Sequence, residues 1–277
     1  MTVIVALGGC ATGGGATDAT VPAPDAGPRD AGTPDSGAPD AGPPDAGPPD
    51  TGPDTGPPDA GPADGCLGFT DDFDGASAMM WTPVNLPAGG MWGQFGHHWG
   101  LGTPDHGPAA DHTGDGELWA VSVDRGYRAF EHSALESPVI DLSRATSATF
   151  RFWHWLETEW CPLSCGELNP VPVALDGAQV QCWDGDSWDL LEPTDGYPSF
   201  VRIWDSAVIP DHPMKDERGF AYDPSVGSSW VEVEMELPNQ CRRFDAQVRF
   251  RFGSDSGSAR DGAGWFVDDV SMDVTCP

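Results

Sequence analysis

Val231-Glu232-Val233-Glu234-Met235-Glu236-Leu237, followed after a Pro-Asn-Gln-Cys turn by Phe244-Asp245-Ala246-Gln247-Val248-Arg249-Phe250-Arg251-Phe252, is the stretch that decides the fold. Each run alternates apolar and polar residues with period two, the pattern of a strand with one buried and one wet face. The short connection makes the two read as an antiparallel pair. Their outward Glu and Arg rows then face each other, each pair contributing roughly a few tenths of a kcal/mol.

Outward from this pair the same language continues. Ala148-Thr149-Phe150-Arg151-Phe152-Trp153-His154-Trp155 is rich in strand formers. Trp153 and Trp155 share the face opposite Phe150 and Phe152, so both faces are apolar, as in a central strand covered by long loops or a partner. Further strands are predicted near Leu118–Val123, Leu135–Ile140, Gln179–Trp183, Phe200–Trp204 and Gly264–Val274. No amphipathic helix of useful length competes. About ten strands separated by Gly/Pro loops predict an all-β protein, a two-sheet antiparallel sandwich of jelly-roll type.

That sandwich is expected to fill residues 66–277, because the composition breaks sharply at Cys66. All 12 Trp lie beyond it. Residues 11–65 carry a repeat, as in Pro44-Asp45-Ala46-Gly47, Pro49-Asp50-Thr51-Gly52 and Pro58-Asp59-Ala60-Gly61. Proline removes donors and favours polyproline II geometry, spaced Asp residues repel, and Gly adds a joint to each repeat. The segment reads as a solvated linker without a core, reaching on the order of 100 Å at about 3 Å per residue. Gly does not recur at every third position, which excludes a collagen strand.

The chain has 277 residues and a net charge of −31. Ten Asp and one Arg belong to the linker, leaving 34 acids and 12 bases, net −22, to the remainder. Such a surface repels nucleic acid and anionic headgroups and attracts cations.

Residues 1–10 end in a short apolar run and Leu7-Gly8-Gly9-Cys10. The run is too short to span a bilayer and reads as the end of a signal peptide. The ending resembles a bacterial lipobox, which makes Cys10 the expected lipidated residue and a membrane the expected partner. No Lys or Arg precedes the run, so the true start is expected upstream. Acyl chains on Cys10 would give lasting attachment at roughly 0.8 kcal/mol per buried methylene.

Setting Cys10 aside leaves six cysteines in an exported chain, and six allow fifteen pairings. First and last strands of a sandwich often lie side by side, which favours Cys66–Cys276. Cys161 and Cys165 are close enough to staple their own loop, which leaves Cys182 with Cys241. A zinc site at Cys161-x3-Cys165 is disfavoured because no second pair follows at finger spacing.

Several motifs, in order, resemble a known family. Asp72-Phe73-Asp74 is similar to the Asp-Phe-Glu opening of MAM domains, and Gly264-Trp265-Phe266-Val267-Asp268-Asp269-Val270 to their closing strand. The whole set more closely resembles the MAM-like jelly roll of immune inhibitor A-type secreted metalloproteases. It includes Trp99-Gly100-Leu101-Gly102-Thr103-Pro104, Gly116-Glu117-Leu118-Trp119-Ala120 and Leu135-Glu136-Ser137-Pro138-Val139-Ile140-Asp141-Leu142. Phe152-Trp153-His154-Trp155 with Thr158-Glu159, then Asp184-Gly185-Asp186-Ser187-Trp188 and Phe250-Arg251-Phe252-Gly253-Ser254-Asp255, complete it. The insert at Trp160–Pro172 departs from the pattern. The resemblance implies a concanavalin-like sandwich and an accessory role in which protease chemistry resides elsewhere. The chain has no His-Glu-x-x-His, and His154-Trp155-Leu156-Glu157 lies in a predicted strand, not the helix such a site needs.

Asp268 is the sharpest chemical clue. By strict alternation it shares a face with Phe266, Val270, Met272 and Val274, and an inward carboxylate is costly unless paired or metal-bound. Asp269 is adjacent, and Asp72 and Asp74 come close if the terminal strands are neighbours. Convergent carboxylates point to structural Ca²⁺. Glu159 joins the set through the family's Thr-Glu position. The alternative is that backbone N–H groups or an Arg cap Asp268. One conflict is visible: Phe69, Asp71 and Phe73 alternate together, which turns Asp72 and Asp74 outward.

Other clusters have competing readings. His97, His98, His106 and His112, beside Asp105 and Asp111, fit no metal-ligand spacing and read as a polar loop. Trp81, Trp92, Trp99, Trp153, Trp155, Trp183 and Trp188 could include a sugar-stacking platform, against packing as the plainer account. Glu157 and Glu159 have glycosidase-like spacing on a strand, about 7 Å.

Together these features predict no enzyme, but a lipid-anchored envelope protein presenting a binding or adhesion domain to an extracellular protein or glycan, and no nucleic acid. A carbohydrate-active jelly roll and a purely structural envelope lipoprotein are the alternatives.

Overall fold

The computed structural model describes residues 66–88, 90–161, 173–197, 199–201, 212–215, 217–255 and 262–277. Cys10, the 11–65 linker, Cys165 with its expected pairing to Cys161, and the second half of the strand expected at Phe200–Trp204 lie outside these residues.

The strands run β1 Phe69–Asp71, β2 Thr82–Asn85, β3 Trp99–Gly102, β4 Leu118–Val121, β5 His132–Glu136, β6 Ser147–Glu157, β7 Trp160–Cys161 and β8 Val173–Ala174. They continue with β9 Gly177–Trp183, β10 Trp188–Leu190, β11 Ser199–Val201, β12 Glu217–Gly219, β13 Val231–Glu236, β14 Val248–Gly253 and β15 Gly264–Thr275. The helical turns among the described residues are 3₁₀ pieces, Ala76–Met80 and Asn239–Cys241.

Two antiparallel sheets form the sandwich. One has the order β13-β6-β15-β4-β3, with β1 also on β15; the other has the order β10-β9-β14-β5-β2. Their inner faces meet in aromatic packing: Phe250 lies 5.0 Å from Phe152, 5.4 Å from Trp265 and 5.7 Å from Trp81 between ring centroids. Burying each such ring stabilises the fold by roughly 1.5–3 kcal/mol. This is the all-β jelly-roll sandwich that the alternation predicts. The terminal strands are neighbours, with Phe69 opposite Met272, and the Cys66–Cys276 disulfide closes that seam.

The expected pairing of β13 with β14 does not occur. β13 lies on β6, with Val233 opposite Phe152, whereas β14 sits in the other sheet between β9 and β5. The connection is a crossing between sheets. Leu237 still bonds Ala148, a 3₁₀ turn follows, and Ala246 then bridges Ile140 across the sandwich. The Cys182–Cys241 disulfide ties the crossing to β9. Glu234 therefore meets Arg151, while Arg249 meets Gln181 and Glu136. The strand expected at Leu135–Ile140 also starts earlier, at His132, and ends before Pro138, which has no N–H for a ladder.

The strict alternation read for the closing strand breaks at a bulge. Asp268 pairs with Trp153 and Ser271 with Arg151, which leaves an extra residue between them. Asp269 takes a left-handed φ of 46° there. Trp265, Val267, Val270 and Met272 consequently enter the main core, while Phe266 and Asp268 face the other way.

That second face is a smaller core of Leu118, Ala120, Trp155 and Phe266. The 103–117 loop covers it, which explains why β6 is apolar on both sides. Gly107, at φ 81°, fits against the Phe266 ring, where a Cβ would approach to 2.7 Å.

Candidate functional site

Three places gather polar chemistry. At the bulge, Asp268 is fully buried under the 103–117 loop. Its Oδ2 accepts the His112 N–H at 2.8 Å and its Oδ1 the Asp269 N–H at 2.8 Å. Burial pushes this carboxyl up to about 7, against those hydrogen bonds. His112 Nδ1 meets Asp269 Oδ2 at 2.6 Å. Asp111, nearby, would be raised by burial, but Thr113 Oγ1 and the N–H groups of Gly116, Gly114 and Thr113 hold it below the usual carboxylate range. Asp74 accepts the Glu117 N–H at 2.7 Å, and Asp72 lines a small polar recess with Asp269. The satisfied Asp268 matches the capping alternative to a metal.

Asp71, which the sequence reading left unassigned, resolves the opening-strand conflict. It points inward and accepts from Phe73 N–H, Ser77 Oγ and Trp81 Nε1 at 2.9–3.0 Å.

Glu159 lies elsewhere, with Asp176 and Asp255. Ligand oxygens from these three lie within 4.8 Å of one another, the one such metal-sized group among the described residues. Tyr127 braces it: its hydroxyl donates to Asp176 Oδ2 and accepts the Glu159 N–H at 2.6 Å. Asp255 N–H donates to Asp176 Oδ1 at 2.7 Å. Burial raises Asp176 to about 8, against the Tyr127 hydrogen bond, with the Asp255 charge adding to the rise. Burial followed by the Asp176 charge drives the Tyr127 hydroxyl upward too. An all-oxygen carboxylate set is the donor chemistry of a hard cation such as Ca²⁺. Asp176 and Asp255 were missed as ligands because they are distant in sequence from each other and from Glu159, and neither the turn before β9 nor the motif that ends in Asp255 marks a ligand.

The third place is a cleft of about 330 Å³ beside β13. Its floor is buried His154, Leu156, Phe220 and Val233, and exposed Asp195, Asp223, Glu232 and Glu234 stand at its mouth. Trp265 Nε1–H donates to His154 Nδ1 at 3.2 Å. An indole nitrogen only donates, so Nδ1 is the bare nitrogen and Nε2 carries the proton. Burial lowers His154 to about 4, so the ring is neutral near pH 7. Alternation with Phe150 and Phe152 was the signal that this His faces inward.

The remaining clusters disperse. His98 meets Glu131, His106 bonds the Ala263 carbonyl at 3.0 Å, and His112 holds the bulge. Trp81, Trp92 and Trp99 are buried, and Trp153 lies beneath His112. Trp183 and Trp188 form a half-buried pair with Arg249 4.2 Å above the Trp188 ring. Glu157 ends β6, and Glu159 turns to Asp176 and Asp255.

No family model matches the chain, and no curated protein matches it in sequence. Among solved structures it is similar to the K1 cleaved adhesin domain of Lys-gingipain from Porphyromonas gingivalis W83. The identity is 12%, the match covers 76% of this chain and 99% of that one, and the TM-score is 0.38. The K3 cleaved adhesin domain of the same protein gives 15% identity, 74% and 97% coverage, and a TM-score of 0.36. The CBM27-1 domain of Caldicellulosiruptor saccharolyticus, in complex with mannohexaose, gives 12% identity, 74% and 96% coverage, and a TM-score of 0.39. At such scores the likeness says nothing of ligand or activity, and the sheet order itself establishes the fold.

Proposed function

We propose that this chain is a non-catalytic binding module displayed on a bacterial cell envelope. The cleft beside β13 carries the reading: it has an apolar floor, one inward donor at His154 and a carboxylate mouth, a site that holds a ligand by shape and charge. In this reading Cys10 is lipidated, 11–65 is the spacer and 66–277 is the presented domain, an accessory jelly roll of the MAM-like kind found in immune inhibitor A-type proteases. Ca²⁺ is its structural ion. The Glu159–Asp176–Asp255 triad is the preferred place because its oxygens lie within reach of one ion. Of the carboxylates expected at the terminal seam, Asp72 and Asp269 share a recess there, while Asp74 and Asp268 cap backbone N–H groups.

Binding of the full chain to a glycan array and to envelope protein fractions, in calcium and in chelator, tests this. Retention of a ligand without product is expected. Released reducing ends that vanish in Glu157→Gln or Glu159→Gln would replace the reading with a carbohydrate-active enzyme. Retention of nothing would leave a structural envelope lipoprotein.

A further inference from the structure

We propose that the N-terminal end of the outer edge of β13, beyond the Pro193–Met235 bridge, docks an extended basic peptide, whose backbone pairs with Glu232 and whose Lys or Arg side chains meet the carboxylates at the cleft mouth. The proposal rests on the binding-module reading and names the ligand class of its cleft.

The ladder parity fixes which backbone groups are available. Leu237 N–H donates to Ala148 O, in register with the β13–β6 pairing, so Val231, Val233, Met235 and Leu237 direct their backbone groups at β6. Glu232, Glu234 and Glu236 then direct theirs at the open edge. Thr194 N–H confirms this parity by donating to Glu234 O at 2.8 Å. No other described strand takes up the Glu232 N–H and C=O, and an edge with unpaired groups is a template for an added strand.

Side-chain chemistry selects the occupant. Val231, 48% exposed, and Val226, 78% exposed, flank the cleft and suit an apolar side chain. His154 is 92% buried, and its Nε2–H has no partner among the described residues, so it offers a donor to whatever enters. Four carboxylates, Asp195, Asp223, Glu232 and Glu234, border the cleft, and no Lys or Arg lines it. Arg151 compensates only Glu234 among them. A second copy of β13 would set Glu against Glu, whereas a strand alternating basic and apolar residues satisfies both faces.

The test titrates the full chain with a labelled eight-residue peptide alternating Lys and Val, read by fluorescence anisotropy at about physiological salt, where diffuse attraction is screened. A Glu-Val counterpart should not bind. Glu232→Pro removes the donor at an edge position that tolerates proline and should weaken binding at least tenfold. Glu232→Gln removes only charge and should weaken it about threefold, and Asp115→Asn, away from the cleft, should leave it unchanged. N-methylation of alternate peptide nitrogens deletes the partner hydrogen bonds without altering the protein, and should abolish binding even if Glu232→Pro fails to fold. Equal affinity for the methylated and parent peptides would overturn the proposal, reducing the attraction to diffuse charge. If the Lys-Val peptide fails but a glycan or envelope component is retained, the peptide proposal fails and the binding-module reading stands. If nothing is retained, both fail.

Discussion

The imidazole of His112 lies flat on the indole of Trp153, ring centroids 3.8 Å apart and planes 15° from parallel, while its backbone N–H donates to the buried Asp268. This pair fastens the 103–117 loop over the second apolar face of β6. The closing bulge is what makes it possible, because it turns Asp268 out of the main core and toward the loop.

Asp268→Ala should therefore loosen the loop as well as destabilise the fold. It strands the His112 and Asp269 N–H groups, and a buried unsatisfied donor costs about 1–3 kcal/mol. A total loss of about 2–4 kcal/mol in urea unfolding is expected, with faster hydrogen exchange at His112. Asp269→Gly relieves the left-handed backbone but loses the His112 contact, so its cost should be under about 1 kcal/mol. Equal costs for the two variants would contradict the arrangement.

Mild acid should destabilise the protein before most carboxylates titrate. Burial lowers His132 to about 3, with the Arg251 charge adding, and His212 to about 3, with the His132 charge adding; burial alone takes His154 to about 4. An unfolded His titrates near 6.5, so below that pH the unfolded chain binds protons that the folded one refuses. This contribution is fully present above about 6.5 and is lost as pH falls toward about 4 for His154 and about 3 for His132 and His212, on the order of 3–5 kcal/mol for one such His, with less than additive sums for the neighbouring pair. Asp176 and Asp268, raised by burial to about 8 and about 7, act the other way, because over this window the folded chain holds their protons and the unfolded chain does not. With three histidines against these two carboxyls, the urea midpoint should fall gently between pH 6.5 and 4.5. His132→Gln, which keeps an acceptor for Arg251, should flatten that slope. A midpoint independent of pH across this window would contradict the burial.

Much of this architecture is legible in the sequence, and the illegible parts have physical causes. Alternation identified β6, β13 and β14, and the sandwich reading led to the Cys66–Cys276 seam. It could not tell that β13 and β14 belong to different sheets, because period two reports which side chain is buried and not which strand lies alongside. It also placed Asp268 with Val270 and Met272, since a one-residue bulge leaves no compositional mark. The triad was half visible: Glu159 entered through a motif, but Asp176 and Asp255 meet it only after two sheets stack. The cleft of His154 and Glu232 depends on which strand is the edge, a fact of topology alone.

The two described disulfides should differ in worth. Cys66–Cys276 closes a sequence separation of 210 and Cys182–Cys241 one of 59. Chain entropy alone assigns them roughly 5 and 4 kcal/mol. Replacing Cys66 and Cys276 together with Ser should lower the melting temperature further than replacing Cys182 and Cys241, and should fray β1 from β15 first. Hydrogen exchange at Phe69 and Met272, the pair whose backbone groups face each other across that seam, reads the fraying directly. Undisturbed protection there would show that the terminal strands hold without their staple.

Calcium should stabilise the fold through one triad. A ligand that binds only the folded state adds about 2.7 kcal/mol at a hundred times its dissociation constant, which moves the melting point of a domain this size by roughly 5–10 °C. Asp176→Asn removes a carboxylate from the donor set and keeps one acceptor oxygen, for the Asp255 N–H, while its NH2 faces the Tyr127 hydroxyl and reverses that bond; it should abolish the calcium shift and lower the melt in chelator only modestly. Tyr127→Phe instead strands the Glu159 N–H and should lower both melts by a similar amount, preserving the shift. Metal analysis of the purified chain supplies the independent reading. A melting point indifferent to chelator, with no metal found, would remove the ion and leave the sandwich standing on its aromatic core and its disulfides.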